Sequence, residues 1–256
     1  MVCGLDAVKV GKDAPLLHSI SASCNVYFTS YYSTWRVVDG NGSSSAIAGT
    51  LMKEALAHFY QKMRRMPDTI VIYRSGASES QETALMEHEM HDPDEGILAA
   101  FDSIAEGDEE LAAWRGKVTV AYIMVKRSSS SRFMAEDGDN LPSGSYITDE
   151  DVMPGGEVVE NPMRFDFYMV SQTYVVGTAR PTLYTVLYNT LSFSKLELIQ
   201  LTHRLCGLYM TFAGKVSIPA PLKYAAKLLS LLSKCTQVPK EPPEQLKPWR
   251  RNLFFI

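Results

Sequence analysis

The sequence predicts an α/β fold, a sheet flanked by helices. Short, continuously apolar runs rich in β-branched residues recur along the chain, and between them lie segments whose apolar residues repeat four apart. Connections rich in Gly, Ser, Asp and Pro separate the two kinds of segment, as turns and loops do.

Residues 1–5 are mostly apolar and end at Asp6, the pattern of a buried strand that delivers one carboxylate to a sheet edge. Residues 25–36, rich in Tyr, Phe, Thr and Val, read as a strand or hairpin. A Gly/Ser loop over 39–45 leads to a helix over 46–65, where Ile47, Leu51, Ala55, Phe59 and Met63 share one face before Pro67 ends it. The run 69–73 is β-branched throughout its core and suits a strand covered on both faces; it leads into Arg74, Ser75 and Gly76. Helices are expected over 79–91 and 93–105, a solvated acidic connection over 106–110, and a strand over 117–126. Residues 135–161 read as a long surface excursion, because apolar strands resume at 165–171 and 181–188. Two helices, 195–212 and 221–234, and a Pro-rich tail close a single expected domain spanning 1–256. In such sheets, sites gather at the C-terminal ends of strands.

Of the 256 residues, 46% are apolar and 21% charged, within the range of ordinary globular domains, and the net charge of −4 signals no polyanion partner in bulk. A nucleic-acid surface would have to come from local clustering of Lys and Arg. Cys3, Cys24, Cys206 and Cys235 are scattered, which argues against a zinc knuckle or a disulfide framework and for a reducing compartment. No apolar run approaches the ~20 residues of a membrane helix, and the first residues lack a leader pattern, so a soluble cytoplasmic or nuclear protein without membrane contact is expected. His88 and His91 are three apart and do not make the zincin pattern, and the turn around Ser75 is not a nucleophile elbow.

Seven segments, in order, are similar to the PIWI domain of the Argonaute/Piwi family: residues 2–6, 66–81, 117–127, 165–172, 177–184, 201–209 and 216–228. The closing residues 249–256 and the run 224–228 resemble the Piwi branch in particular. The resemblance implies a ribonuclease H-like mixed sheet flanked by helices, and a family activity in which two Mg²⁺ ions held by carboxylates position water for cleavage of an RNA target. The family's ligands are Asp, Glu, Asp and then His or Asp. Asp6 takes the first position; the third falls in a Tyr-Arg-Asp-Gly turn where this chain has Ser75; the fourth falls where it has Ala226; and no acid stands near 43–46, where the Glu would be expected. Serine offers only a neutral oxygen and alanine none, so Asp6 is left as a remnant and weak Mg²⁺ site.

The resemblance also places residues beside RNA. Lys126 and Arg127 match a basic pair facing the backbone, and Arg132 continues it after four serines. Arg180, Ser217, Lys223 and Tyr224 fall in segments near the guide's first phosphates, and the carboxylate of Ile256 resembles one that packs at the guide 5′ end, directly or through Mg²⁺. The implied partners are a small guide RNA, its target RNA, and the MID- and PAZ-bearing portion of the same or another chain. The expected function is guide or guide–target binding without cleavage, in small-RNA-directed silencing. Two alternatives stay open: a protein-interaction scaffold without RNA binding, and a metal-dependent endonuclease that recruits Asp39, Glu79 or Glu82.

Overall fold

The computed structural model describes residues 1–9, 15–38, 44–76, 82–127, 130–148, 151, 164–174, 176–235, 238–246 and 248–256. Eight strands form one mixed sheet: β1 (Val2–Lys9), β2 (Leu16–Ser23), β3 (Tyr31–Val38), β4 (Thr69–Ser75), β5 (Thr119–Lys126), β6 (Tyr146–Thr148), β7 (Phe165–Met169) and β8 (Thr182–Asn189). Their order across the sheet is β3-β2-β1-β4-β5-β8-β7-β6. The central strands β1, β4 and β5 run parallel, and the outer ones pair antiparallel. The helices are α1 (Ser44–Met63), α2 (Ile97–Ala105), α3 (Glu109–Arg115), α4 (Lys195–Leu205) and α5 (Ala220–Leu232). Among the described residues no helix is long and apolar enough to cross a membrane.

Alternation along the central strands explains their continuous apolarity. Ile70 and Ile72 of β4 pack toward Leu51, Met52 and Leu56 of α1 and Phe101 of α2. Val71 and Tyr73 point to the opposite face, where Leu198, Ile199 and Leu205 of α4 and Leu222 of α5 cover the sheet. Gly4 of β1 makes the second layer possible: a Cβ there would lie 2.3 Å from the backbone of Pro221 and Leu222, so α5 sits directly on the strand.

The structure departs from the sequence reading in several places: the first strand does not end at Asp6 but runs on to Lys9, and of residues 25–36 only those from Tyr31 onward are strand. Leu16–Ser23 is a strand, β2, although its alternate residues are serines. Ser19, Ser21 and Ser23 are fully buried and each finds a partner: Ala225 O, Ser33 Oγ and the Val2 N–H. The expected helix over 79–91 is instead one short turn, Glu82–Ala84, running into a π-helical turn, Leu85–Met90. There the His91 N–H reaches back five residues to Met86 O; residues 79–81 lie outside the described set. The acidic run becomes the start of α3, whose first amides are capped by Asp108. The helix expected to reach 212 stops at Leu205, because the Tyr224 hydroxyl pins the next turn by donating to Leu208 O and accepting from the Met210 N–H.

The C-terminal tail returns to the sheet along β3. Val37 N–H donates to Lys240 O, and the Trp35 indole donates to Pro239 O. Of the long excursion over 135–161, residues 135–148 and 151 are described and carry β6; 149–150 and 152–161 are outside the described residues.

Candidate nucleic-acid interface

Parallel pairing sets the site. The β1/β4 register runs from Val2↔Val71 to Leu5↔Arg74. One step further, Asp6 comes level with Ser75, and its carboxyl accepts the Ala7 N–H at 2.9 Å. Asp6 is buried, which pushes its carboxyl above the ordinary range, while the Ser75 side chain and the charges of Arg127 and Arg74 pull it back. Across β1/β2, Asp6 pairs with Ser19, and the Ser19 hydroxyl donates to Ala225 O. That bond brings Ala226 of α5 toward the same place. Asp6 and Ser75 are therefore level with each other at the C-terminal end of β4 and midway along β1, and the Ala225 carbonyl, next to Ala226, is bonded to the strand beside them.

Their chemistry does not fit a pair of divalent ions. A two-metal centre needs several charged oxygens, whereas this set offers one carboxylate, one hydroxyl and one methyl group. Among the described residues no group of three or more His, Cys, Asp or Glu is placed to hold a metal. Glu82, a candidate for recruitment, is instead engaged by Lys126 and Arg164; Asp39 and Glu79 lie outside the described residues.

Beneath Ser75 lies an ion pair that sequence reasoning missed. The Arg74 guanidinium donates to both oxygens of Glu89, at 2.8 and 2.9 Å, and to Ser75 O at 2.9 Å. Tyr122 completes the group by donating to Glu89 at 2.8 Å. Burial alone would raise the Glu89 carboxyl, but Arg74 and these hydrogen bonds hold it below its usual range. The π-helical turn is the element that carries Glu89 to this point. His18 is buried nearby, and burial, with Arg74 beside it, pushes its imidazole down to about 4 against the pull of Glu89. An arginine at the end of an apolar strand was the one local signal of the pair.

The basic residues fall partly into the same end. Val125 is level with Ser75, and Lys126, the last residue of β5, pairs with Leu183 of β8. Lys126 is half-buried and Arg127 exposed. Arg180 is exposed just before β8, and Thr182 and Tyr184 of β8 donate to Ser217 O, so these residues share the end occupied by Lys126. Lys223 is half-buried in the first turn of α5. Arg132 is exposed in the following segment, lining a surface hollow with Met134 and Tyr146. Ile256 is exposed, anchored by Phe255, which packs in the same core as Val216 and Ala220. Tyr224 corrects the sequence reading: it is fully buried, edge-on to Tyr31, with its hydroxyl spent on Leu208 and Met210. It shapes the loop after α4 and offers RNA no surface.

A family model described as the Piwi domain matches residues 1–237. The chain belongs to the Piwi domain family. It is 32% identical over 237 residues to the Drosophila melanogaster protein piwi, covering 91% of this chain and 26% of that protein, so it spans about a quarter of the relative's length. The crystal structure of Drosophila Piwi superposes on the whole of this Piwi domain with a TM-score of 0.79 and 27% identity, using 32% of that chain. The Kluyveromyces polysporus Argonaute, solved with a guide RNA, gives a TM-score of 0.78 over the whole chain and 30% of its own, at 18% identity. The mixed sheet flanked by helices is thus the ribonuclease H-like fold expected from the sequence.

Proposed function

We propose that residues 1–256 act as one Piwi domain that binds the backbone of a guide RNA, or of its duplex with a target, and does not cut it. The observation that carries this reading is the end of the sheet where Asp6 meets Ser75 instead of a second carboxylate, while Arg127 stands exposed next to Lys126. Phosphate contacts need only local cations and donors, so a chain of net charge −4 can bind a backbone through such a strip. In-line attack needs metal-held water, and one carboxylate supplies too little charge for it. The guide's ends would be held by MID and PAZ portions beyond this chain, in a small-RNA silencing complex. Titration with short 5′-phosphorylated RNA, with cleavage read in Mg²⁺ and Mn²⁺, tests both halves: binding without product supports the reading, and metal-dependent product lost in Asp6→Ala overturns it.

Reversing the basic pair, Lys126→Glu with Arg127→Glu, should weaken binding to all sequences alike. It should also flatten the salt dependence, by about 0.7 in the logarithmic slope for each single-strand phosphate that is no longer neutralised. Unchanged affinity and slope would favour a protein-interaction scaffold. One observation favours that second reading: the Lys126 ammonium is half-buried against Glu82.

Restoring ligands is the complementary test. Ser75→Asp with Ala226→His supplies a second carboxylate and an imidazole beside Asp6, and Mn²⁺ binding followed by calorimetry should tighten by tenfold or more, roughly 1.4 kcal/mol. No gain in metal affinity would mean that these three positions do not converge closely enough to share an ion.

A further inference from the structure

Glu82 sits where the Piwi domain's backbone-binding strip should be most open. Its carboxylate takes Lys126 Nζ on Oε1 at 3.5 Å and an Arg164 terminal nitrogen on Oε2 at 2.7 Å. Lys126 ends β5 and Arg164 immediately precedes β7, so the two cations come from strands separated by β8. The Glu82 and Lys126 side chains are 15% and 17% exposed, whereas Arg164 is 53% exposed and reachable from solvent.

The two donors are placed as the non-bridging oxygens of a phosphodiester would require. A backbone phosphate carries one negative charge on two non-bridging oxygens, and each oxygen can accept from a separate cation. Glu82 reproduces both the charge and the division of its oxygens between two donors. It does so from a three-residue helical turn, Glu82–Ala84, that leads directly into the π-helical turn.

We propose that Glu82 is an internal stand-in for an RNA phosphate, holding Lys126 and Arg164 together, and that Arg164 is a phosphate-contacting residue of the strip. RNA must displace Glu82 to gain these two cations, so the carboxylate lowers affinity and sets a threshold that weakly held RNA does not pass. This inference rests on the RNA-binding reading above.

The test is titration of a short 5′-phosphorylated single-stranded RNA into the chain and into Glu82→Gln, each at several salt concentrations. Glutamine keeps the shape and removes the charge. Affinity should rise roughly five-fold at low salt, and the logarithmic salt slope should steepen by about 0.7 for each further phosphate neutralised. Adding Arg164→Gln to Glu82→Gln should abolish most of that gain, and Arg164→Gln alone should weaken binding, a comparison that stands even if Glu82→Gln folds poorly. Equal affinity and slope in parent and Glu82→Gln, with the parent binding RNA, would overturn the stand-in and leave the RNA-binding reading intact. Tighter binding with an unchanged slope would mark a diffuse field effect and overturn it too. Absence of RNA binding by parent and variant alike would remove both.

Discussion

Replacing Glu89 with alanine should cost the fold about 3–5 kcal/mol, because it strands the Arg74 guanidinium without a counter-ion in the interior. Arg74 is 8% exposed and Glu89 3%, so water cannot take the carboxylate's place without opening the layer between β4 and the π-helical turn. The Tyr122 hydroxyl loses its acceptor in the same step. Urea unfolding reports the effect as a lower midpoint at an unchanged slope. Replacing the whole group with apolar residues, Arg74→Met, Glu89→Leu and Tyr122→Phe together, should cost far less than Glu89→Ala alone, since no charge or hydroxyl is then left stranded. A Glu89→Ala midpoint equal to that of the parent would mean that the pair does not hold this layer. Arg74 also donates to Ser75 O, so the same substitution should loosen the residue that faces Asp6.

Gly4→Ala should rank beside it. The added methyl would meet Leu222 N, Pro221 C and Pro221 O, all at 2.3 Å and all backbone, so no side-chain rotation relieves the clash. Either β1 or α5 must move, at a cost at or above the upper end of the ~1–3 kcal/mol usual for overpacking. For a chain of this size a destabilisation of about 3 kcal/mol lowers the melting temperature by roughly 6–12 °C. Because α5 carries Lys223 and Ala226, the shift should also be felt as weaker RNA binding. A melting temperature within about a degree of the parent's would show that the strand and helix do not meet at this point.

The legible parts of the molecule were those where local chemistry and tertiary role agree. The β4 run is apolar on both faces because both faces are covered, and Ser75 at the end of β4 falls level with Asp6 of its parallel neighbour as the order of the elements suggested, although β1 runs on past Asp6 to Lys9. β2 was hidden because its inward residues are serines whose hydroxyls are satisfied by partners 12 to 206 residues away. The Arg74–Glu89–Tyr122 group was hidden for the same reason: its members lie 15 and 33 residues apart, and the arginine that closes an apolar strand does not say which residue answers it. Tyr224 shows a different limit. Motif similarity located the segment correctly at the start of α5, but the direction in which a helical side chain points is decided by what packs against it, here Tyr31 and the turn after α4.

The path of the tail along β3 bears on how copies of the chain meet one another. An eight-strand sheet ends in two rims of unpaired amides and carbonyls, and such a rim is a template on which a second molecule can extend the ladder. At one rim the last strand, β6, is only three residues long and offers a stranger little to grip. At the other, β3 runs for eight residues, but the Val37 amide is already spent on Lys240 and the Trp35 indole clamps Pro239 over it. Residues 239–240 thereby stand in for part of a ninth, imperfect strand, and take up a place on this rim that a second molecule would otherwise need.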